Sequence, residues 1–89
     1  MRTYHLLISG MVQGVGFRYF TYKRAKKLGI TGYVRNTTDG KVEIYASGPE
    51  DTLESFIAIV SRGPVYADVR AVDKEELPYM PFNEFEIRP

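Results

Sequence analysis

The sequence predicts a single α+β domain over residues 1–89, in which two helices pack on one face of an antiparallel sheet. Several short segments alternate apolar and polar residues, as half-buried strands do. Two longer segments carry their apolar residues on one helical stripe only, so each helix has a single face to bury. The chain has 44% hydrophobic and 26% charged residues, which is ordinary for one small globular domain.

The first strand and the first helix are predicted by a change of period. Residues 3–10 alternate apolar and polar side chains, as in a strand. From Phe17 onward the apolar residues recur with the period of a helix, and Gly29 ends that helix as a C-terminal cap. The predicted buried stripe of this helix consists of Phe17, Phe20, Thr21, Ala25 and Leu28.

A hairpin and a second helix follow. Residues 31–36 (TGYVRN) and 41–47 (KVEIYAS) predict two strands joined by a four-residue turn. Pro49 is expected at the first position of the second helix, which Gly63-Pro64 ends. The predicted buried stripe of the second helix consists of Leu53, Phe56, Ile57 and Val60.

The last third of the chain predicts two more strands. Residues 65–72 (VYADVRAV) alternate, with Ala67, Val69 and Ala71 expected on one side. A charged, proline-bearing loop (KEELPYMP) then leads to a short final strand in FNEFEIR. The element order is therefore β-α-β-β-α-β plus a short extra C-terminal strand, which is the ferredoxin-like arrangement.

Composition excludes several classes of protein. A formal net charge of +1 argues neither for a broad nucleic-acid surface nor for a polybasic membrane-binding face. The absence of cysteine excludes disulfides, thiolate metal sites and a cysteine nucleophile. The apolar run Leu6–Ile8 is short for a signal peptide, and no segment approaches the roughly 18 apolar residues of a membrane span. We expect a cytoplasmic protein without a membrane partner.

The predicted topology brings two distant polar side chains together. The first strand and the strand 31–36 run parallel if strand 41–47 lies antiparallel between them, so their C-terminal ends meet at one edge of the sheet. Arg18 follows the first of these ends and Asn36 lies at the second. Crevices at the carboxyl ends of parallel strands are common ligand sites.

The loop GMVQGVGFR (residues 10–18) has the chemistry of an anion site. Gly10, Gly14 and Gly16 permit positive φ, so successive backbone N–H groups can point inward, and the next helix adds a partial positive charge. Arg18 offers a planar fork of donors that matches a phosphoryl group. The spacing fits neither a Walker A motif nor a dinucleotide fingerprint. Taken alone, the loop is also compatible with an ordinary strand-to-helix turn, and Asn36 with a turn residue.

Two segments together resemble a known family. VQGVGFR, preceded by Gly10 and an apolar strand, resembles one signature of the acylphosphatase family. GYVRNTTDGKVEIYASG (Gly32–Gly48) resembles its other signature, in which Gly, an aromatic, a small apolar residue, a basic residue and Asn lead to a Gly-x-Val hairpin. The predicted element order is consistent with this family over the whole chain.

The resemblance implies hydrolysis of acyl phosphates to a carboxylate and inorganic phosphate, without a metal or other cofactor. It implies that Arg18 helps to hold the phosphoryl group and that Asn36 positions the attacking water. The backbone amides that it assigns to phosphoryl binding are those of Gln13, Gly14, Val15, Gly16 and Phe17. Inorganic phosphate is then expected as product and competitive ligand, and the chain is expected to act as a monomer without a nucleic-acid partner.

This chemistry is consistent with the residues present. A carboxylate leaving group, with a conjugate-acid pKa of about 4, departs without protonation, so no general acid is required. The single histidine, His5, lies at the start of the first strand, away from the loop. Carbamoyl phosphate, acetyl phosphate and 1,3-bisphosphoglycerate all remain open as substrates, because the loop contacts only the phosphoryl end.

Two other functions remain in competition. A ferredoxin-like RNA-binding module would need stacking aromatics on the central strands, and KVEIYAS offers only Tyr45. A non-catalytic module could bind a small anion through the same loop, but such binding would not require Asn36. The basic run Lys23–Lys27, with its neighbouring tyrosines, is typical of a solvated helix face, and Asp39 is typical of a turn.

Overall fold

A computed structural model describes residues 1–89 and confirms the predicted order of elements. No helix is both long enough and apolar enough to cross a membrane. The elements are β1 (Arg2–Met11), α1 (Phe17–Leu28), β2 (Thr31–Asn36), β3 (Val42–Gly48), α2 (Glu50–Arg62), β4 (Asp68–Leu77) and β5 (Phe85–Arg88).

The five strands form one sheet in the order β4-β1-β3-β2-β5. β3 is antiparallel to both β1 and β2, so β1 and β2 run parallel to each other, as predicted. Val42 of β3 pairs with Ile8 of β1 on one side and with Asn36 of β2 on the other. β5 adds to β2 in parallel, which makes the sheet mixed rather than wholly antiparallel.

The core lies between the sheet and the two helices. Both helices turn their predicted stripes inward, although Phe20, Leu28 and Ile57 are only partly buried. The fourteen buried hydrophobic residues are Leu6, Ile8, Val12, Phe17, Ala25, Ile30, Val34, Val42, Ile44, Ala46, Leu53, Phe56, Val60 and Phe85. This single cluster connects the loop before α1 with the sheet, because it includes residues from both.

The observed helix ends agree with the predicted ends, except at the start of α2. Gly29 caps α1 with φ 71°, and its N–H donates to the carbonyl oxygens of the last turn. Glu50 and Asp51 lie in the first turn of α2, where carboxylates stabilise the helix dipole. Pro49 is the N-cap of α2 with an extended backbone, so its predicted place as the first helical residue was wrong by one position.

The predicted boundaries of the fourth strand were wrong. β4 begins at Asp68 and continues to Leu77 through the charged run that we expected to be a loop. Since β4 is an edge strand, charged side chains face solvent there and discourage pairing with other chains.

The predicted inward face of this strand is confirmed for Ala67 and Val69 and was wrong for Ala71, because β4 contains a bulge. Ser9 pairs with Ala71 and Gly10 with Val69, so Arg70 is an extra residue between them. The extra residue reverses the alternation, and Val69 and Val72 therefore pack against the core while Ala71 is exposed. Periodicity read from the sequence assumes an unbroken strand, and a bulge violates that assumption.

The sheet face opposite the helices carries a small ionic cluster. Glu43 accepts a hydrogen bond from His5 Nε2 at 2.8 Å and another from Arg35 Nε at 2.6 Å. The ring of His5 also packs on Tyr45, with centroids 4.6 Å apart. The Glu43 side chain is only 15% exposed, so both partners are needed to balance its burial. His5 therefore has a structural environment, remote from the β1–α1 loop.

The Glu43 cluster predicts a pH-dependent stability. Burial raises the pKa of Glu43, but the hydrogen bonds and positive charges of His5 and Arg35 lower it by more, so its net pKa lies below the ordinary value. A carboxylate with a lowered folded-state pKa stabilises the fold above its unfolded pKa and loses that contribution as pH falls through the folded pKa. We expect Glu43→Gln to lower the free energy of unfolding by about 1 kcal/mol at neutral pH.

The measurement is urea unfolding across pH. The deficit of Glu43→Gln relative to wild type should shrink below about pH 4, where the wild-type carboxylate is increasingly protonated. Glu54→Gln is the matched control, because Glu54 is exposed on α2 and forms no ion pair. A deficit that stayed constant from pH 7 to pH 3 would show that the charge of Glu43 does not stabilise the fold.

Candidate functional site

The loop between β1 and α1 alternates buried apolar residues with exposed glycines. Val12 and Phe17 are buried and Val15 packs against the core, which fixes the loop at three points. Gly14 and Gly16 have φ values of 75° and 77°, whereas Val15 between them has a negative φ. Alternating signs of φ turn successive N–H groups toward one point, in the arrangement called a nest. A Cβ atom at either glycine would meet nothing within 4 Å, so it is the backbone conformation that favours glycine there.

The backbone N–H groups of this loop are free of partners within the chain. None of the N–H groups of residues 13–16 donates to a backbone carbonyl, and the first bond of α1 runs from the N–H of Phe20 to the oxygen of Gly16 at 3.0 Å. The N–H groups ahead of Phe20 therefore lie at the unsatisfied, partly positive end of the helix. No acidic residue occupies the first turn of α1 to neutralise that end. The loop and the helix end together form a cradle for an anion.

Arg18 and Asn36 line one crevice beside this cradle. The crevice has a volume of about 260 Å³ and is lined by Gly14, Gly16, Arg18, Tyr19, Asn36 and Ile87. The structure thus brings together the two residues that lie 18 positions apart in the sequence. Neither side chain forms a hydrogen bond or an ion pair within the protein, so their donors remain available to a ligand.

Strand alternation explains why Asn36 points toward the crevice. Asn36 lies two residues after the buried Val34, so both side chains project from the face of the sheet that the helices cover. Its neighbour Arg35 projects from the opposite face, where it binds Glu43. Asn36 is the last residue of β2, and no helix residue covers it as completely as Val34 is covered. A polar side chain at this position therefore reaches the rim beside α1.

The hairpin turn after Asn36 is held by its own polar groups. The N–H of Thr37 donates to the oxygen of Lys41, and the N–H of Lys41 donates to Thr37 Oγ1, both at 2.9 Å. The Thr37 hydroxyl also donates to Asp39 and is the main cause that lowers the pKa of that carboxyl. Asp39 is thus part of the turn and does not line the crevice.

Gln13 contributes a contact that the sequence analysis missed. Its side-chain Nε2 donates to the carbonyl oxygens of Thr37 and Lys41, each at 2.8 Å. These bonds tie the loop before α1 to the turn after Asn36, the two segments that must be aligned for the crevice to exist. The resemblance implies a role only for the backbone amide of Gln13, because the carbonyl partners of its side chain become neighbours only after folding.

Gly10 differs from the other loop glycines. It lies within β1 at the bulge opposite Val69, with φ 127°, and not in the cradle. A Cβ atom at Gly10 would come within 2.2 Å of the backbone oxygen of Asp68. Gly10 is therefore required by the close approach of two strands, and the cradle uses Gly14 and Gly16 alone.

A family model, curated relatives and a solved structure similar to this chain share one family name. A sequence model described as acylphosphatase matches residues 4–87. An acylphosphatase of Pseudothermotoga lettingae is 51% identical over 89 residues, covering all of both chains, and one of Archaeoglobus fulgidus is 49% identical over 82 residues, covering 92% of each. The crystal structure of acylphosphatase from Bacillus subtilis superposes with a TM-score of 0.97 at 39% identity, again over the whole of both chains.

The tie formed by Gln13 predicts a local effect on the turn after Asn36. We expect Gln13→Ala to speed amide hydrogen exchange at Thr37 and Lys41, whose N–H groups are hydrogen-bonded within that turn. We also expect it to lower the free energy of unfolding by about 1–2 kcal/mol, because two hydrogen bonds between loop and turn are lost. Exchange followed by NMR at single residues measures the first effect, and exchange in the middle of β2 should change little. Unchanged exchange at Thr37 and Lys41 would show that the contacts of Gln13 do not stabilise the turn.

Proposed function

The chain belongs to the acylphosphatase family, whose members are hydrolases that act on acid anhydrides, and we propose that its crevice cleaves the carboxyl–phosphate bond of an acyl phosphate. The products are a carboxylate and inorganic phosphate. One observation carries the proposal: the amide cradle, Arg18 and Asn36 all border the same crevice although they come from separate parts of the chain.

The phosphoryl group binds in the cradle. Backbone N–H groups of Gln13, Gly14, Val15, Gly16 and Phe17 donate to its nonbridging oxygens. The guanidinium of Arg18 donates to the same oxygens from the side and adds a full positive charge. Because these donors are already oriented, little reorganisation is needed when charge shifts between the phosphoryl oxygens in the transition state.

Asn36 positions the attacking water. Its carboxamide accepts a hydrogen bond from the water and holds the oxygen in line with the bond to be broken. The water oxygen forms a bond to phosphorus as the bond from phosphorus to the carboxylate oxygen breaks, and the carboxylate leaves with the electron pair. The proton of the water passes to a phosphoryl oxygen of the substrate, so no protein base is required.

No general acid or metal takes part in this reaction. A carboxylate leaves as a stable anion, because the pKa of its conjugate acid is only about 4. The residues that line the crevice include neither a carboxylate nor an imidazole, the groups that would bind a divalent cation or transfer a proton. All proposed groups come from one chain, so a monomer suffices. Inorganic phosphate retains the group that the cradle binds and should compete with substrate.

Arg18 is the first residue to test. We expect Arg18→Ala to lower kcat/KM for acetyl phosphate by at least about 100-fold, as the loss of one oxyanion donor does in other enzymes. Arg18→Lys should recover only part of the activity, because an ammonium keeps the charge and loses the planar fork. Phosphate release from acetyl phosphate in the presence of EDTA is the assay. Arg70→Ala is the matched control, since Arg70 is exposed on β4 and lies outside the crevice.

The outcomes separate the competing functions. Activity that vanishes with EDTA would contradict the metal-free reaction, and an Arg18→Ala enzyme as active as wild type would remove the guanidinium from the phosphoryl site. A wild-type protein that binds inorganic phosphate but releases none from acetyl phosphate would instead be the anion-binding module considered above.

Asn36 should separate turnover from binding. We expect Asn36→Ala to abolish measurable hydrolysis while leaving the affinity for inorganic phosphate nearly unchanged, because the carboxamide holds the water and not the phosphoryl group. Calorimetric titration with phosphate and the acetyl phosphate assay give the two readouts. Asn83→Ala serves as the control, since Asn83 is exposed in the segment before β5. Near-normal turnover by Asn36→Ala would contradict the water-positioning role.

A further inference from the structure

A second cavity adjoins the crevice and lies along the exposed face of α1. This groove has a volume of about 480 Å³ and is larger than the crevice itself. It shares Gly16 and Tyr19 with the crevice, so the two cavities meet at the cradle. The groove is lined by Gly16, Tyr19, Phe20, Lys23, Arg24 and Lys27, which recur with the spacing of one helix face.

The groove is positively charged, and no acidic residue neutralises it. Its lining includes Lys23, Arg24 and Lys27 and no carboxylate. None of these three cations forms an ion pair within the protein. Lys23 and Lys27 are four positions apart, a spacing at which like charges on a helix repel each other. Because the whole chain has a net charge of only +1, the positive charge is concentrated on this helix.

The charged ends of two of these side chains lean toward the cradle. Side chains on a helix tilt toward its N-terminus, which for α1 is the phosphoryl end. Accordingly, Lys23 Nζ lies 5.7 Å from the ring centre of Tyr19, and Arg24 Cζ lies 5.1 Å from that of Phe20. Lys23 lies seven residues after Gly16, or about 10 Å along the helix axis. The tilt of its side chain shortens the distance between its ammonium group and the cradle. A substrate of a few carbon atoms beyond its phosphoryl group can bridge it.

We propose that this groove binds a second anionic group on the acyl part of the substrate. The inference rests on the proposed function and extends it to a substrate class: acyl phosphates whose acyl chain ends in a carboxylate or a phosphate. Lys23 and Arg24 contact the distal anion, and Lys27 adds to the positive potential from one turn further away. Tyr19 and Phe20 form the apolar wall along which the connecting carbon chain lies.

A small substrate with two separate anionic groups fits the groove better than a nucleic acid does. The unpaired cations occupy one helix face and lie next to the phosphoryl cradle, so a substrate held by its phosphoryl group is delivered directly to them. A nucleic-acid surface would need positive charge spread over a longer path, and the net charge of +1 does not supply it.

The test compares two substrates across matched variants. Succinyl phosphate carries a distal carboxylate and acetyl phosphate has none, so the ratio of their kcat/KM values isolates the second anion from the phosphoryl chemistry. We expect the double variant Lys23→Gln/Arg24→Gln to lower the succinyl-to-acetyl ratio by about fivefold or more, given that each exposed ion pair supplies up to about fivefold. The wild-type ratio should also fall as salt is raised, since exposed charges are screened.

Lys26→Gln is the matched control, because it removes the same charge from the same helix while Lys26 lies outside the groove. Its succinyl-to-acetyl ratio should equal that of wild type. An unchanged ratio in the double variant overturns the inference, and so does an equal loss in Lys26→Gln, which would indicate only the general field of the helix. Binding of a single-stranded oligonucleotide that the double variant loses, with the ratio unchanged, would assign the groove to nucleic acid instead.

Failure of the proposed function has a different signature. A wild-type protein that hydrolyses neither acetyl nor succinyl phosphate overturns the catalytic proposal and this inference with it. A wild-type protein that hydrolyses both, with a ratio that the groove variants do not change, overturns this inference alone.

Discussion

The pairing of β3 with both β1 and β2 is the constraint on which the rest of the structure depends. Val42 joins Ile8 and Asn36 in one row, which places Asn36 two strand spacings, or about 10 Å, from Ile8. The apolar row behind it, Leu6–Ile44–Val34, is buried and fixes this register. A slip of one residue would move Asn36 to the opposite face of the sheet. The position of Asn36, the side chain proposed to orient the attacking water, is thus set by core packing two residues away.

The cradle brings several sources of positive charge to one point, and their repulsion is unfavourable in the free protein. The N-terminal end of α1, the free amides of the loop and Arg18 all present positive charge to the same space, while no carboxylate in the first turn compensates. A cation at that end of a helix is typically unfavourable by a few tenths of a kcal/mol or more. A bound anion would reverse the sign of each of these interactions, so donors that destabilise the free protein are already oriented for the phosphoryl group that we propose the cradle binds.

Patterns among neighbouring residues predicted the elements whose structure depends on neighbouring residues. The two helices and the β2–β3 hairpin follow from periodicity, caps and turn residues, and the topology then placed Arg18 and Asn36 at one edge. The predicted face of Ala71 was wrong because the bulge at Arg70 depends on how β4 meets β1. The predicted length of β4 was wrong because a charged run is also suited to an edge strand. The tie from Gln13 and the parallel pairing of β5 depend on tertiary neighbours, which no periodicity encodes.

The nature of the leaving group separates the site of the chemistry from the site of substrate preference. In the proposed reaction a carboxylate departs unaided, so the crevice would need only to bind the phosphoryl group and orient water, and neither task involves the acyl chain. Any preference among acyl phosphates must therefore arise outside the crevice, where the remainder of the substrate lies. The face of α1 that begins at Gly16 and Tyr19 is continuous with the crevice and carries unpaired cations. The helix whose N-terminal end is proposed to hold the phosphoryl group is thus also the element that we propose distinguishes one substrate from another.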